Sequence, residues 1–194
     1  MDRPLRVLLV DDGGPHIALL REELPRLGCE VLDVVDAAIE LSQRVAALNP
    51  DLIIIGAESP QRDTLEHIAA MTQRTPRPIV LFTDDPDRER MQRAIRAGVS
   101  SYVVAGLDPK RLGPIMDVAL ARFEAEAALR AELQASKTAL AQRKRIERAK
   151  GILMRTRGLS EEAAYAQMRR LAMDRGVKLA DIADRIIEAN DLLG

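Results

Sequence analysis

The sequence predicts an α/β protein: a receiver-like, doubly wound, five-stranded parallel sheet, then a long helix and a C-terminal three-helix bundle. Three observations predict it. Apolar, β-branched runs alternate with amphipathic helical patterns over the N-terminal part of the chain. From about Asp117 to Met154 there is no Pro, and the first Gly is Gly151, so this stretch reads as one long helix. Two further amphipathic segments with capping signals close the chain.

The strand-like runs are Leu5–Val10, Val31–Val35, Leu52–Ile55, Ile79–Phe82 and Tyr102–Val104. Between them, helical periodicity covers roughly 15–27, 37–48, 61–74, 86–97 and 109–122. Gly28, Asn49-Pro50, Pro76, Pro78 and Gly98 punctuate the two kinds of segment. Right-handed crossovers leave few topologies for five strands alternating with helices, and of these the order 2-1-3-4-5 is expected. In that order the ligand crevice lies at the C-terminal ends of strands one and three.

The long helix carries Met116, Leu120, Phe123 and Ala127 at steps of four and three. Leu129, Leu133, Ser136 and Leu140 repeat the pattern after a phase shift. Such spacing fits a short coiled coil with a discontinuity, or a solvated connecting helix. Next, Gly158 is a stop, Ser160 an N-cap, Glu161 and Glu162 sit where the helix dipole favours acids, and Gly176 ends the helix. In the last segment Leu179, Ile182, Ala183, Ile186 and Leu193 share one helical face. The expected divisions are a first domain over 1–122, a helical linker over 123–138 and a C-terminal domain over 139–194.

Composition narrows the chemistry. Apolar residues make up 47% of the 194, so a sizeable core can form. Aromatics are only 2%, which excludes sites built on several stacked rings. A single Cys29 excludes an intrachain disulfide framework, and His16 and His67 are too scattered to suggest zinc. The N-terminus resembles neither a signal peptide nor a membrane span, so no membrane association and a cytoplasmic location are expected. The formal net charge of −1 hides a segregation. Residues 1–122 carry 19 acidic and 15 basic groups; residues 143–170 carry nine basic and three acidic. A local basic patch attracts a polyanion whatever the total charge.

Asp11 and Asp12 follow strand one directly. Adjacent carboxylates there suit a Mg²⁺ site with oxygen ligands, or equally a pair of solvated loop acids with a capping role. Thr83, before Asp84 and Asp85, ends strand four in the same crevice and suits either a phosphoryl oxygen or a helix start. Strand three ends in Gly56, which has no side chain to offer. In the basic segment, at about 100° per residue, Ile146, Ala149 and Leu153 fall in a sector roughly 60° wide and should face the core. Lys144, Arg148 and Arg155 share another sector roughly 40° wide, with Gly151 about 20° beyond its edge. A cationic stripe with a side-chain gap lets a phosphate backbone approach the helix; an ordinary solvated basic face is the alternative. Arg169 and Arg170 on the following helix widen the patch.

The motifs "RVLLVDD", "NPDLIIIGAESP", "PIVLFTDD" and "AGVSSYVVAGL" resemble a response-regulator receiver domain at its usual spacings. "RKRIERAKGILMRTRGLSEEAAYAQMRRLAM" resembles the ANTAR domain, an RNA-binding antitermination module. "ESPQRDTLEHI" and "PRPIVLFTDD" look most like the NasT-type antiterminators of nitrate assimilation, with AmiR-type regulators next. The resemblance puts the acidic pocket at Asp11 and Asp12, the phosphoacceptor at Gly56, the hydroxyl at Thr83 and a lysine at Ala105. Two of those four functions are therefore missing. Glu58 is a poor substitute, because two residues move a side chain by roughly 7 Å along a strand. The resemblance also carries Ala149, Lys150, Gly151, Leu153, Met154, Ala164, Tyr165 and Met168 onto the ANTAR pattern.

The resemblance thus implies a non-enzymatic regulator with a pseudo-receiver, needing no cofactor beyond weak Mg²⁺ at Asp11 and Asp12. Arg143, Lys144, Arg148, Lys150, Gly151, Arg155, Arg169 and Arg170 are the expected RNA contacts. The implied partners are hairpins of a leader mRNA, a NasS-like or AmiC-like sensor protein, and a second copy of the chain. The rival expectation is a protein-interaction subunit whose helices only dimerise or dock a partner.

Overall fold

The computed structural model describes residues 3–13, 15–36, 41–104 and 106–193, and all but the side chain of the last of these. The strands are β1 (Leu5–Asp12), β2 (Cys29–Asp36), β3 (Leu52–Ala57), β4 (Ile79–Thr83) and β5 (Ser101–Val104). The helices are α1 (His16–Arg26), α2 (Leu41–Leu48), α3 (Arg62–Arg74), α4 (Arg88–Ala97), α5 (Pro109–Arg157), α6 (Glu161–Arg175) and α7 (Leu179–Leu193). The chain forms two compact units, Met1–Ala127 and Ala128–Gly194.

In the first unit all strand pairs are parallel and the order is β2-β1-β3-β4-β5, as the sequence predicts. Alternation of side chains explains the two cores. Leu8, Val10, Ile53 and Ile55 face Val45, Ile68 and Met71 of α2 and α3. Val7, Leu9, Leu52 and Ile54 face Leu20 and Leu24 of α1 and Leu112 and Met116 of α5. Helices cover both faces, so β3 is buried throughout, which is why its sequence is continuously apolar. Each fully buried Leu or Ile contributes roughly 1.5–3 kcal/mol.

The helix of the C-terminal part begins earlier than the periodicity suggests. The segment 109–122 and the long helix are one element, α5, which runs through Pro114 without ending. Asp108 caps it, accepting the Lys110 N–H at 3.0 Å. Of the predicted four-three seam, Met116 is buried in the first unit's core, Leu120 and Phe123 are half-buried and Ala127 is exposed. Leu129, Leu133 and Leu140 are exposed.

In the second unit Ala149, Leu153, Ala164, Met168, Ala172, Ile182 and Ala183 form the core of the bundle. Ala149 and Leu153 are buried and Ile146 packs against them, as their shared sector predicts. Ser160 Oγ accepts the Ala163 N–H at 3.2 Å, and Gly176 closes α6 with φ of 62°. Among the described residues no helix is long and apolar enough to cross a membrane.

Candidate functional site

Parallel pairing brings Asp11 beside Gly56 and Gly56 beside Phe82; one step on, Asp12, Ala57 and Thr83 share a row. The sequence-predicted residues therefore meet at one sheet edge. Their polar atoms are engaged separately. Asp12 Oδ2 accepts from Thr64 Oγ1 of α3 at 2.9 Å, and Asp11 Oδ1 accepts the Gly13 N–H at 3.0 Å. Both acids line an open cleft of about 770 Å³ with Asp36, Asp63, Thr64 and His67, and neither Gly56 nor Thr83 lines it. Burial raises the Asp12 pKa, the Thr64 hydrogen bond opposes the rise, and the charges of Asp36 and Asp11 add to it.

Thr83 is buried and its hydroxyl has two partners. It donates to the Glu58 carbonyl at 2.8 Å and accepts the Asp85 N–H at 3.2 Å, tying the loop after β3 to the loop after β4. Beside it, Asp85 Oδ2 accepts from Ser59 Oγ at 2.6 Å and from Arg90. The Ser59 hydroxyl, the Asp87 N–H and Arg90 hold the Asp85 carboxyl below the usual aspartate range. Ala105, where a lysine was expected and is missing, lies outside the described residues.

The space at Gly56 is already filled. A Cβ there would sit 3.0 Å from Ile17 Cδ1, 3.2 Å from Ile17 Cγ1 and 3.6 Å from His16 Cβ. His16 is buried, and its Nε2 lies 3.5 Å from Asp84 Oδ1 with no hydrogen-bond partner. Sequence reading missed these two α1 residues. Among the described residues no group of three or more His, Cys, Asp or Glu side chains is arranged to hold a metal ion. Asp11 and Asp12 each have a hydrogen-bond partner of their own, and Gly56 beside Asp11 adds no side-chain oxygen to the pair.

The second unit offers the opposite surface. Lys144, Arg148, Gly151, Met154 and Arg155 are all exposed on α5. A Cβ at Gly151 would meet nothing within 4 Å. The cations divide into paired and unpaired. Arg148 Nη2 reaches Asp191 of α7 at 3.0 and 3.1 Å, and Arg145 reaches Asp184 at 2.7 Å. Arg143, Lys144, Arg155, Arg169 and Arg170 are exposed and have no ion pair among the described residues.

Lys150 differs from the rest of the predicted contacts. Its side chain is buried, with Nζ 2.9 Å from Glu147 and 2.7 Å from Glu161. Hydrogen bonds to Glu147 and then Glu161 raise its pKa, and the Glu161 pKa falls in return. Lys150 thus ties the first turn of α6 to α5, and its ammonium is shared between two carboxylates. The α7 partners Asp184 and Asp191 were also missed. Their signal is visible in sequence, since Asp181, Asp184, Glu188 and Asp191 step by three, four and three along one helix face.

A parallel sheet in this order, with acids closing β1 and a hydroxyl closing β4, defines a receiver, and the capped basic bundle is a separate module. Family models agree: the response regulator receiver domain matches residues 7–116 and the ANTAR domain residues 134–187. The chain belongs to the response regulators that join a receiver domain to an ANTAR domain. It is homologous to the transcriptional regulatory protein PdtaR of Mycobacterium tuberculosis, at 30% identity over 185 residues, covering 95% of this chain and 90% of that protein. Among solved structures, the signal receiver domain of a modulated diguanylate cyclase from Desulfovibrio desulfuricans is 29% identical, with a TM-score of 0.54 over 64% of this chain and 99% of that one. The receiver domain of an HD domain-containing protein from Pseudomonas fluorescens is also 29% identical, with a TM-score of 0.53 over the same shares.

Proposed function

We propose that this chain is an RNA-binding transcription antitermination regulator, in which the ANTAR bundle grips leader-transcript hairpins and the receiver takes no phosphoryl group. The observation that carries the reading is Gly151. A mid-helix glycine costs roughly 1 kcal/mol relative to Ala. No neighbour needs that space, since nothing lies within 4 Å of the missing Cβ. The gap lies among exposed cations, so a phosphate backbone can come close to the helix there. Lys144 and Arg155 are ready to meet it. Arg148 exchanges the Asp191 carboxylate for a phosphate, which costs little because exposed ion pairs contribute about 0–1 kcal/mol. Counterion release then favours the RNA.

A hairpin held in this way cannot pair with the downstream strand that completes a terminator. The name of the homologous PdtaR, a transcriptional regulatory protein, supports a transcriptional role. On the receiver, Gly56 supplies no nucleophile, Ile17 and His16 cover its place, and the Thr83 hydroxyl is spoken for. Control therefore comes through binding: a NasS-like or AmiC-like sensor holds the RNA-incompetent state and releases it on sensing its ligand, nitrate or nitrite in the assimilation role. Such a partner need only bind that state more tightly than the competent one. Exposed Leu129, Leu133 and Leu140 support a homodimer through α5 that presents two bundles to two hairpins.

Titrating hairpin RNA into the protein at several salt concentrations tests the reading. Binding whose logarithm falls linearly with the logarithm of salt, by roughly 0.7–0.9 per phosphate contact, is expected. No binding above that of an acidic control protein would leave the protein-interaction reading in its place. Sedimentation with and without RNA tests the dimer, and a strict monomer in both would defeat it.

A further inference from the structure

Beyond the backbone-gripping stripe on α5, the bundle exposes a second kind of surface. Tyr165 is 43% exposed and Met173 is 72% exposed. Arg169, exposed and unpaired, stands between them at steps of four. At about 100° per residue, Glu161, Tyr165, Arg169 and Met173 advance around α6 by roughly 40° each, a ridge that starts at the edge facing α5. That start is fixed: Glu161 holds Lys150, the residue next to Gly151, at 2.7 Å. The ridge therefore rises beside the stripe, within one bundle.

A ring, a guanidinium and a thioether in a row are not what a solvated helix face needs. Tyr165 is the one aromatic residue in 128–194, and it is left in solvent while alanines fill the core around Ala164 and Ala172. Arg169 and Arg170 are exposed and without an ion pair among the described residues, so the ridge carries a local positive charge that attracts a polyanion. Flat faces beside unpaired cations suit unstacked nucleobases, which stack on aromatic rings and guanidinium planes while phosphates pair with the charge.

We propose that the α6 ridge of Tyr165 and Arg169 is the platform on which unpaired loop bases of the RNA stack, so that Tyr165 decides loop against duplex while the α5 stripe holds the backbone. Stacking is sequence-tolerant, so this platform selects exposed bases rather than a particular base. The proposal rests on the RNA-binding reading above.

The test uses the full chain and two RNAs. One is a hairpin selected by the protein from a pool with a fixed stem and randomised loop, carrying 2-aminopurine in the loop; the other is the same stem as a blunt duplex. The wild type should bind the hairpin at least tenfold more tightly than the duplex and quench the 2-aminopurine. Tyr165→Leu should lose about tenfold or more on the hairpin, lose the quench, and leave duplex affinity unchanged. Tyr165→Phe keeps the ring and should keep both, and Arg169→Ala should weaken the quench. Because the ring is largely outside the core, Tyr165→Leu should melt at the wild-type temperature. A folded Tyr165→Leu that keeps its preference and its quench, or weakens both RNAs by one factor, overturns the platform. Equal wild-type affinity for hairpin and duplex overturns it too and leaves the RNA reading standing. Binding to neither RNA overturns both.

Discussion

Gly56 in β3 and Gly151 in α5 both sit inside regular elements, and their surroundings are opposite. At Gly56 the missing side chain's space is taken by Ile17, 3.0 Å from where a Cβ would stand. At Gly151 the space is open to beyond 4 Å. The first glycine is explained from within the fold: it lets α1 pack onto the sheet edge. The second has no internal explanation and still carries its helix penalty. A gap that the protein fills itself closes a site, and one that it leaves open invites a ligand. The same contrast runs through the charges, with Thr83 fully bonded inward and Lys144 and Arg155 facing outward.

The comparison breaks most visibly if Gly151 is filled. Gly151→Leu should lower hairpin affinity by tenfold or more while raising the thermal midpoint, because Leu exceeds Gly in helix propensity by roughly 0.8 kcal/mol. Stability that rises with affinity untouched would mean that the gap is not a ligand site. Next, Gly56→Ala should cost about 1–3 kcal/mol in denaturant titrations, the usual effect of overpacking. Adding Ile17→Val should cost less than the two changes separately, since the contacted Cδ1 is gone, and RNA affinity should not move. Simple additivity of the two losses would show that Ile17 does not fill the space.

Arg148→Ala sharpens the other side. It should make the salt slope for RNA shallower by about one contact and change stability by no more than about 1 kcal/mol, the range of an exposed pair. An unchanged slope would remove Arg148 from the interface. The smallest effect is at Asp12. Its pKa is raised in the fold, mainly by burial. At neutral pH it is ionised at a cost to the folded state. As pH falls through the folded pKa it protonates there first, so the cost shrinks and is gone below the ordinary aspartate value. Asp12→Asn should raise the thermal midpoint slightly at pH 7, with the difference closing in acid. A gap that grows on acidification would reverse the assignment.

Much of this was legible in sequence. The β-branched runs gave away all five strands, and period-3.6 patterns placed Ala149 and Leu153 in the bundle core, because local periodicity reports which face is buried. Residues that act across the chain were not legible. Ile17 and His16 meet Gly56 only through the β1–β3 pairing, some 40 residues apart in sequence, and no periodic pattern encodes that contact. Lys150 read as one more surface cation because its type is basic, yet it lies on the margin of the buried sector, where Glu147 and Glu161 make its burial affordable. Met116 fitted a coiled-coil seam because a/d spacing looks the same when the partner is a sheet.

On the proposed function the receiver is chemically silent and the bundle binds RNA regardless. Both are tested most directly by one titration of hairpin RNA, at several salt concentrations, before and after incubating the full chain with acetyl phosphate and Mg²⁺, with the intact mass recorded on the same samples. Salt-dependent binding with the same affinity and slope is expected in both samples, with no gain in mass. A stoichiometric phosphoryl adduct accompanied by a change in RNA affinity would contradict it, because another carboxylate would then have taken over the role that Gly56 cannot fill.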